Sequence, residues 1–142
     1  MGWWSTDIMG GDTPLDFEDE IFDICKVEKF PDEGGRNELS KEDIEQNLGE
    51  ILAMLEKSND YIGYQVLSVL MMKTGARIPE SLFSLLEDSC HLDEWAKESD
   101  ERKESVDGLL AALRAYDNQN PIIVRSRGLF EVMAEKLENN NN

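Results

Sequence analysis

Apolar residues recur along most of this chain at the spacing of an α-helix. In three segments they return every three or four residues, which places them on one face of a helix. The three stripes are Phe17, Ile21, Ile24 and Cys25; Ile44, Leu48, Ile51, Leu52 and Leu55; and Val106, Leu109, Leu110, Leu113 and Tyr116. The pattern predicts three amphipathic helices, each with one face turned towards a core.

One further segment is apolar on nearly every side. Its apolar residues are Tyr61, Ile62, Tyr64, Val66, Leu67, Val69, Leu70, Met71 and Met72. A helix that is apolar all round is buried, so we predict that this helix forms the centre of the domain. Asn59 or Asp60 is expected to begin it and Gly75 to end it, since Asn and Asp cap helix N-termini and glycine commonly ends helices.

Capping residues and prolines set the other helix starts. Thr13 can cap the first helix, with Pro14 at its first position, and Ser40 can cap the second, with Asp43 in the place of the usual capping-box glutamate. Pro79 is expected to begin a fourth helix. The residues predicted to face inward on it are Leu82, Phe83, Leu85 and Leu86.

The remainder of the chain is less regular. We predict a short turn of helix in which Trp95 packs inside with Leu92 and Ala96, followed by a polar stretch (97–104) that is either a break or an exposed helix. After the stop at residues 118–121, the apolar run 122–124 predicts a strand or a buried loop. A last helix is predicted over residues 128–137.

The expected fold class is all-α: a compact single-domain bundle of six or seven helices with little or no strand. The domain is predicted to cover residues 1–138, with an N-terminal arm (1–12) that contains Trp3 and Trp4, and residues 139–142 are predicted to be a disordered polar tail. Pairs of helices also stack in solenoids, but no sequence repeat stands out here, and a bundle is favoured.

The charge of the chain is strongly negative and unevenly distributed. Among 142 residues, 31 are acidic and 14 are basic, a formal net charge of −17. Residues 1–60 hold 17 acidic and 5 basic side chains, whereas residues 61–142 hold 14 and 9. Nucleic acids and anionic lipids are themselves negative, so we expect a basic protein surface as partner rather than direct nucleic-acid or membrane binding.

No group of residues predicts a catalytic centre, a cofactor site or a metal site. His91 is the only histidine and lies beside Cys90, but adjacent residues on a helix do not face each other. No phosphate-binding glycine motif is present. The two cysteines, Cys25 and Cys90, form no CxxC motif, and no signal peptide precedes them, so a reducing, cytoplasmic location is expected.

Three interpretations of the sequence remain open. The leading hypothesis is a macromolecular binder (immunity-like, inhibitory or a nucleic-acid mimic) that covers a basic surface, and its alternative is an acidic surface that only maintains solubility. The predicted partner-binding residues are Trp3, Asp16, Glu18, Asp19, Glu20 and Asp23. Trp3 is included because tryptophan is enriched in binding hot spots; an indole near the terminus can equally anchor the arm on the core, the role expected of Trp4. The enzyme hypothesis is a carboxylate- and metal-dependent hydrolase that uses the helix edge of Asp12, Asp16 and Glu20.

The first residues carry a resemblance to a known family. The matching positions are Met1, Gly2, Trp4, Thr6, Asp12, Leu15, Asp16 and Phe17. They resemble the bacterial domain of unknown function family 4259, whose members typically begin Met-Gly-x-Trp-Gly-Thr-Gly and reach an Asp-Phe or Asp-Trp at the start of a helix. Ser5 and Asp7 stand where that family has glycines. The segment from Leu92 to Trp95 resembles the family's C-terminal part more loosely. The resemblance implies an all-helical fold and implies no activity.

Overall fold

A computed structural model describes residues 8–9, 12–28 and 38–124 of the protein. In these ranges the elements are α1 (Asp12–Ile24), α2 (Lys41–Ser58), α3 (Tyr61–Thr74), α4 (Glu80–His91), α5 (Glu94–Glu98) and α6 (Asp100–Ala115). The described ranges contain no strand, so the all-α fold class is confirmed. Five of these elements are helices of at least twelve residues, whereas α5 is a single turn of five residues. The described ranges therefore hold five full helices, and the predicted count of six or seven is not matched.

Several predicted features lie outside the described residues. These are the last helix at 128–137, the tail at 139–142, and both tryptophans of the N-terminal arm. The run at 122–124, predicted as a strand or a buried loop, is a loop but is not buried, because Ile123 is 47% exposed. The backbone N–H of Ile122 donates to the carbonyl oxygen of Met72 at 2.8 Å.

The sequence left open whether Asn59 or Asp60 begins α3, and the turn between α2 and α3 uses both residues. Asn59 adopts a left-handed backbone (φ 50°) and ends α2, whereas Asp60 begins α3 by accepting the backbone N–H of Ile62 at 2.9 Å. At the other end of α2 the capping box is confirmed. Ser40 Oγ accepts the N–H of Asp43 at 3.1 Å, and the Asp43 carboxylate accepts the N–H of Ser40 at 2.9 Å.

The central position of α3 is confirmed. It contacts α1, α2, α4 and α6, and its residues from Val66 to Met72 are all buried. Gly75 ends the helix with φ 80°, a left-handed conformation that glycine adopts without steric cost. Beyond it, the hydroxyl of Tyr116 donates to the carbonyl oxygen of Ala76 at 2.6 Å, which ties the end of α6 to the end of α3.

The structure corrects the predicted packing of α4 and α5. Leu85 is 48% exposed and Leu92 is 62% exposed, although both were expected to face inward. The buried positions of α4 are Leu82, Leu86, Ser89 and Cys90, at i, i+4, i+7 and i+8. Ser89 can occupy this face because its hydroxyl donates to the carbonyl oxygen of Leu86 at 2.6 Å. Trp95, which was also expected to pack inside, is half-buried.

The other boundary differences are smaller. α1 begins at Asp12, one residue before the predicted cap Thr13. Within the polar stretch 97–104 the helix breaks at Ser99, which ends α5 and caps α6 through its side chain. That stretch is not wholly exposed, however, because the side chain of Arg102 is fully buried.

Gly63 allows α1, α2 and α3 to approach one another closely. A Cβ atom at this position would lie 2.6 Å from Leu55 Cδ2 and 2.9 Å from Phe17 Cε1, and both of those side chains are buried. We expect Gly63→Ala to lower the free energy of unfolding by about 1–3 kcal/mol through overpacking.

A matched control for this substitution exists in α2. A Cβ atom at Gly49 would meet nothing within 4 Å, so Gly49→Ala should raise the free energy of unfolding by about 0.5–1 kcal/mol through helix propensity alone. Urea unfolding of both variants measures the difference. A stabilised Gly63→Ala protein would contradict the close packing of the three helices.

Candidate functional site

Five carboxylates line one exposed face of α1. The acidic stripe consists of Asp12, Asp16, Asp19, Glu20 and Asp23. Their spacing of i, i+4, i+7, i+8 and i+11 confines them to an arc of about 100° on a helix with 3.6 residues per turn. α1 contains no lysine or arginine. Of the five carboxylates, Asp19 has a further contact within the protein.

The opposite face of α1 explains why the stripe points outward. Pro14, Phe17, Ile21, Phe22 and Cys25 are buried there against the rest of the bundle. Burial of this apolar face fixes the rotation of the helix about its axis, because turning it would expose two phenylalanines. The acidic stripe is therefore held in place by packing on the far side of α1.

Glu18 does not belong to the stripe, although it was predicted to be an outward charge. It is half-buried, and it lies one turn from both Pro14 and Phe22, which are buried. The sequence pattern missed this because Phe22 was not assigned to the apolar face. Glu18 and Asp19 each have a further contact within the protein, so the residues best suited to a surface test are Asp16, Glu20 and Asp23.

Trp3, the remaining predicted partner-binding residue, lies outside the described residues.

The helix edge of the enzyme hypothesis is exposed throughout, with Asp12, Asp16 and Glu20 about 6 Å apart in successive steps along the axis. Within the described ranges, no group of three or more His, Cys, Asp or Glu side chains is arranged to hold a metal ion.

Cys90 and His91 lie in different environments. Cys90 is buried, and this burial raises the pKa of its thiol to about 12. The thiol therefore stays protonated at neutral pH, whereas a nucleophilic cysteine requires the thiolate. His91 is exposed at the end of α4. One side chain is buried and the other is exposed, so the structure does not bring them together as a nucleophile and its base.

A buried polar cluster lies beneath α5. It consists of Gln65, Asp93 and Arg102, each at most 1% exposed. Arg102 donates from Nε and Nη2 to Asp93 Oδ2 at 3.0 and 2.8 Å, and from Nη2 to Gln65 Oε1 at 2.7 Å. Gln65 Nε2 donates to the same Asp93 oxygen at 2.9 Å and lies 3.3 Å from the carbonyl oxygen of Ser89.

This cluster holds four helices together. Gln65 lies on α3, the carbonyl of Ser89 on α4, and Arg102 on α6, while Asp93 Oδ1 accepts the backbone N–H of Ala96 and so caps α5. Buried charged groups are tolerated when they are paired and hydrogen-bonded, as they are here. The cluster has the character of an internal brace, because its three side chains are closed to solvent.

Two half-buried aromatic residues surround the cluster. The guanidinium carbon of Arg102 lies 4.8 Å from the centroid of the Trp95 ring, a distance that permits a cation–π interaction. The pKa of Tyr61 is raised, mainly by burial and also by the negative charge of Asp93. These contacts explain why α5, only five residues long, has a defined place in the fold.

Sequence reasoning missed Arg102, but the signal was present. Arg102 precedes Val106 by four residues, so it continues the stripe of Val106, Leu109 and Leu113 by one helical turn. Gln65 is likewise a polar residue within an otherwise apolar helix. A buried polar group requires a hydrogen-bonding partner, so each of these residues indicated the existence of the other.

Comparison of the chain with protein-family models, with curated proteins and with solved structures finds no match. The resemblance to the domain of unknown function family 4259 stays a prediction. Of the residues that carry it, the last four, Asp12, Leu15, Asp16 and Phe17, lie in α1, and the first four lie outside the described residues. None of the helices in the described ranges has the length and apolar character needed to cross a membrane.

Proposed function

We propose that the protein binds a basic surface of another macromolecule through the acidic stripe of α1. The observation that carries the proposal is the alignment of four exposed carboxylates, besides Asp19, on one face of a helix that has no basic side chain. The four are Asp12, Asp16, Glu20 and Asp23. Inhibitory and immunity-like proteins, and proteins that place carboxylates where a nucleic acid has phosphates, are the classes that such a surface suits.

Electrostatics gives this surface a specific role in association. Like charges within a few ångströms of one another reinforce their common field, and a concentrated field of one sign steers an oppositely charged partner. Steering acts mainly on the association rate and on the exclusion of wrong partners. Screening over about 8 Å at physiological ionic strength makes the effect sensitive to salt.

The proposal is tested by charge reversal on the stripe. The variant Asp16→Lys, Glu20→Lys, Asp23→Lys is compared with a control on α2, Glu45→Lys, Glu50→Lys, Glu56→Lys. The control residues are also exposed, and both variants change the net charge by the same amount. The binding partner is recovered from an extract of the source cells at low salt and eluted at high salt. Association rates are then measured with the purified partner at both salt concentrations.

At low salt we expect the association rate of the α1 variant to fall by at least about tenfold. A change of this size is within the range of electrostatic steering. The control should slow association by less than threefold, and the dissociation rate should change less than the association rate. Circular dichroism verifies that both variants are folded. Equal slowing by the two variants would show that only the total charge matters, which is the solubility interpretation. Unchanged rates in the α1 variant would exclude the stripe as a binding face.

A further inference from the structure

α4 exposes two leucines on one side. Leu85 is 48% exposed and Leu92 is 62% exposed. Leu92 follows the last helical residue, but its backbone is close to helical (φ −84°, ψ −3°) and its N–H donates to the carbonyl oxygen of Asp88 at 2.9 Å. The two leucines are therefore related by i and i+7 on a nearly continuous helix. They lie on the same side, about 10 Å apart along the axis.

The surroundings of these leucines are acidic. Asp88 is exposed and lies within about one turn of each leucine, and Glu94 is exposed two residues after Leu92. The segment 80–96 contains no lysine or arginine. Of its five carboxylates, Asp93 is buried against Arg102 and Glu87 pairs with Arg114 at 3.1 Å, which leaves Glu80, Asp88 and Glu94. We call this surface, which consists of Leu85, Asp88, Leu92 and Glu94, the leucine face. It combines two apolar anchor points with a negative rim.

We propose that the leucine face binds an amphipathic helix of the partner that carries apolar side chains two turns apart, flanked by lysine or arginine. The apolar side chains of this helix would cover Leu85 and Leu92, as in other complexes in which an amphipathic helix lays its apolar face on a hydrophobic surface. Its basic side chains would meet Asp88 and Glu94. The inference rests on the proposed function, since it takes the partner to be basic. It adds a second contact surface and the structural class of the segment that is bound.

Charge complementarity decides between the possible occupants of the leucine face. A second copy of this chain brings another net charge of −17 and the same acidic rim, so two copies oppose each other here. An anionic lipid surface is opposed for the same reason. A cationic helix satisfies both the apolar and the charged parts of the face.

The test uses defined peptides and the full-length protein. The probe is an 18-residue peptide of leucine and lysine with the leucines at helical spacing, and its control is a scrambled peptide of the same composition. Binding is measured by fluorescence anisotropy for the parent, for Leu85→Ser with Leu92→Ser, and for Ile123→Ser. Ile123 is the matched control because it is 47% exposed and lies elsewhere in the fold, after α6.

We expect the double leucine variant to bind the helical peptide at least tenfold more weakly than the parent. Ile123→Ser should stay within twofold of the parent, and the scrambled peptide should bind as weakly as the helical peptide binds the double variant. Equal affinity of the parent and the double variant would overturn the inference. A parent dimer that the double variant dissociates, detected by sedimentation, would overturn it in favour of a second copy. A tenfold gain in affinity on deletion of residues 125–142 would overturn it in favour of the chain's own segment.

The two proposals fail separately. If the double leucine variant binds the peptide as the parent does while the α1 charge reversal still slows association, the leucine face is excluded and the proposed function stands. If the α1 charge reversal changes no rate while the leucine variant still loses the peptide, the acidic stripe is excluded. The leucine face then remains as a binding site for cationic helices.

Discussion

Replacing Arg102 with methionine is expected to lower the free energy of unfolding by about 3–5 kcal/mol. The side chains of Arg102 and Asp93 are both 0% exposed, and Nη2 lies 2.8 Å from Oδ2. Methionine occupies part of the space but carries no charge. The carboxylate of Asp93 would then remain buried without its positive partner, and Gln65 Oε1 would lose the donor that lies 2.7 Å away. Denaturant unfolding followed by circular dichroism measures the loss.

An exposed ion pair in the same helix supplies the control. Lys103 Nζ lies 3.4 Å from Asp107 Oδ2, with the two side chains 65% and 60% exposed. Lys103→Met should change the free energy of unfolding by no more than about 0.5 kcal/mol, since exposed pairs of this spacing contribute little. Similar losses for Lys103→Met and Arg102→Met would contradict the burial of the cluster.

A double-mutant cycle separates the pair from its surroundings. Asp93→Ala, Arg102→Met and the combined variant are unfolded in parallel. The combined variant should lose clearly less stability than the sum of the single losses, because it leaves no unpaired buried charge. Losses that add within about 0.5 kcal/mol would mean that the two residues act independently, for example with Asp93 acting only as the cap of α5.

Leu67→Ala is expected to lower the free energy of unfolding by about 2–5 kcal/mol, the usual range for a core leucine. Leu67 is fully buried in α3, the helix that contacts four others, so the cavity it leaves is enclosed by packed side chains. Thermal and urea unfolding measure the change. Leu85→Ala is the control. Leu85 is 48% exposed, so its substitution should change the free energy of unfolding by no more than about 0.5 kcal/mol. A loss for Leu67→Ala no larger than the control would show that α3 is not the centre of the core.

Much of the fold could be predicted because its signals are local. The capping box of Ser40 and Asp43 involves residues three apart, and the left-handed end at Gly75 depends on one residue type. The uniform apolar character of α3 indicates burial whatever surrounds it. Such features act within one or two helical turns, so a sequence window contains the whole of the physical cause.

The candidate site could be predicted in part. The acidic positions of α1 follow from helical spacing, and Asp16, Glu20 and Asp23 are exposed as expected. Glu18 is not, because Phe22 is buried beside it and the apolar face of α1 is wider than its clearest stripe. The helical spacing of apolar residues locates the centre of a buried face more reliably than its edges. The reason is that the position of the neighbouring helices decides how far the covered surface extends.

The sequence by itself determined the all-α class, the central helix, most of the helix ends and the uneven charge, because spacing, capping and composition are properties of the chain alone. Only the tertiary structure decided that Gln65, Asp93 and Arg102 meet and that Leu85 and Leu92 stay exposed. Positions 65 and 102 are 37 residues apart and touch only because α3 and α6 pack together. Whether a side chain between two faces of a helix is covered likewise depends on where the adjacent helix lies, and that is set by the packing of the whole bundle.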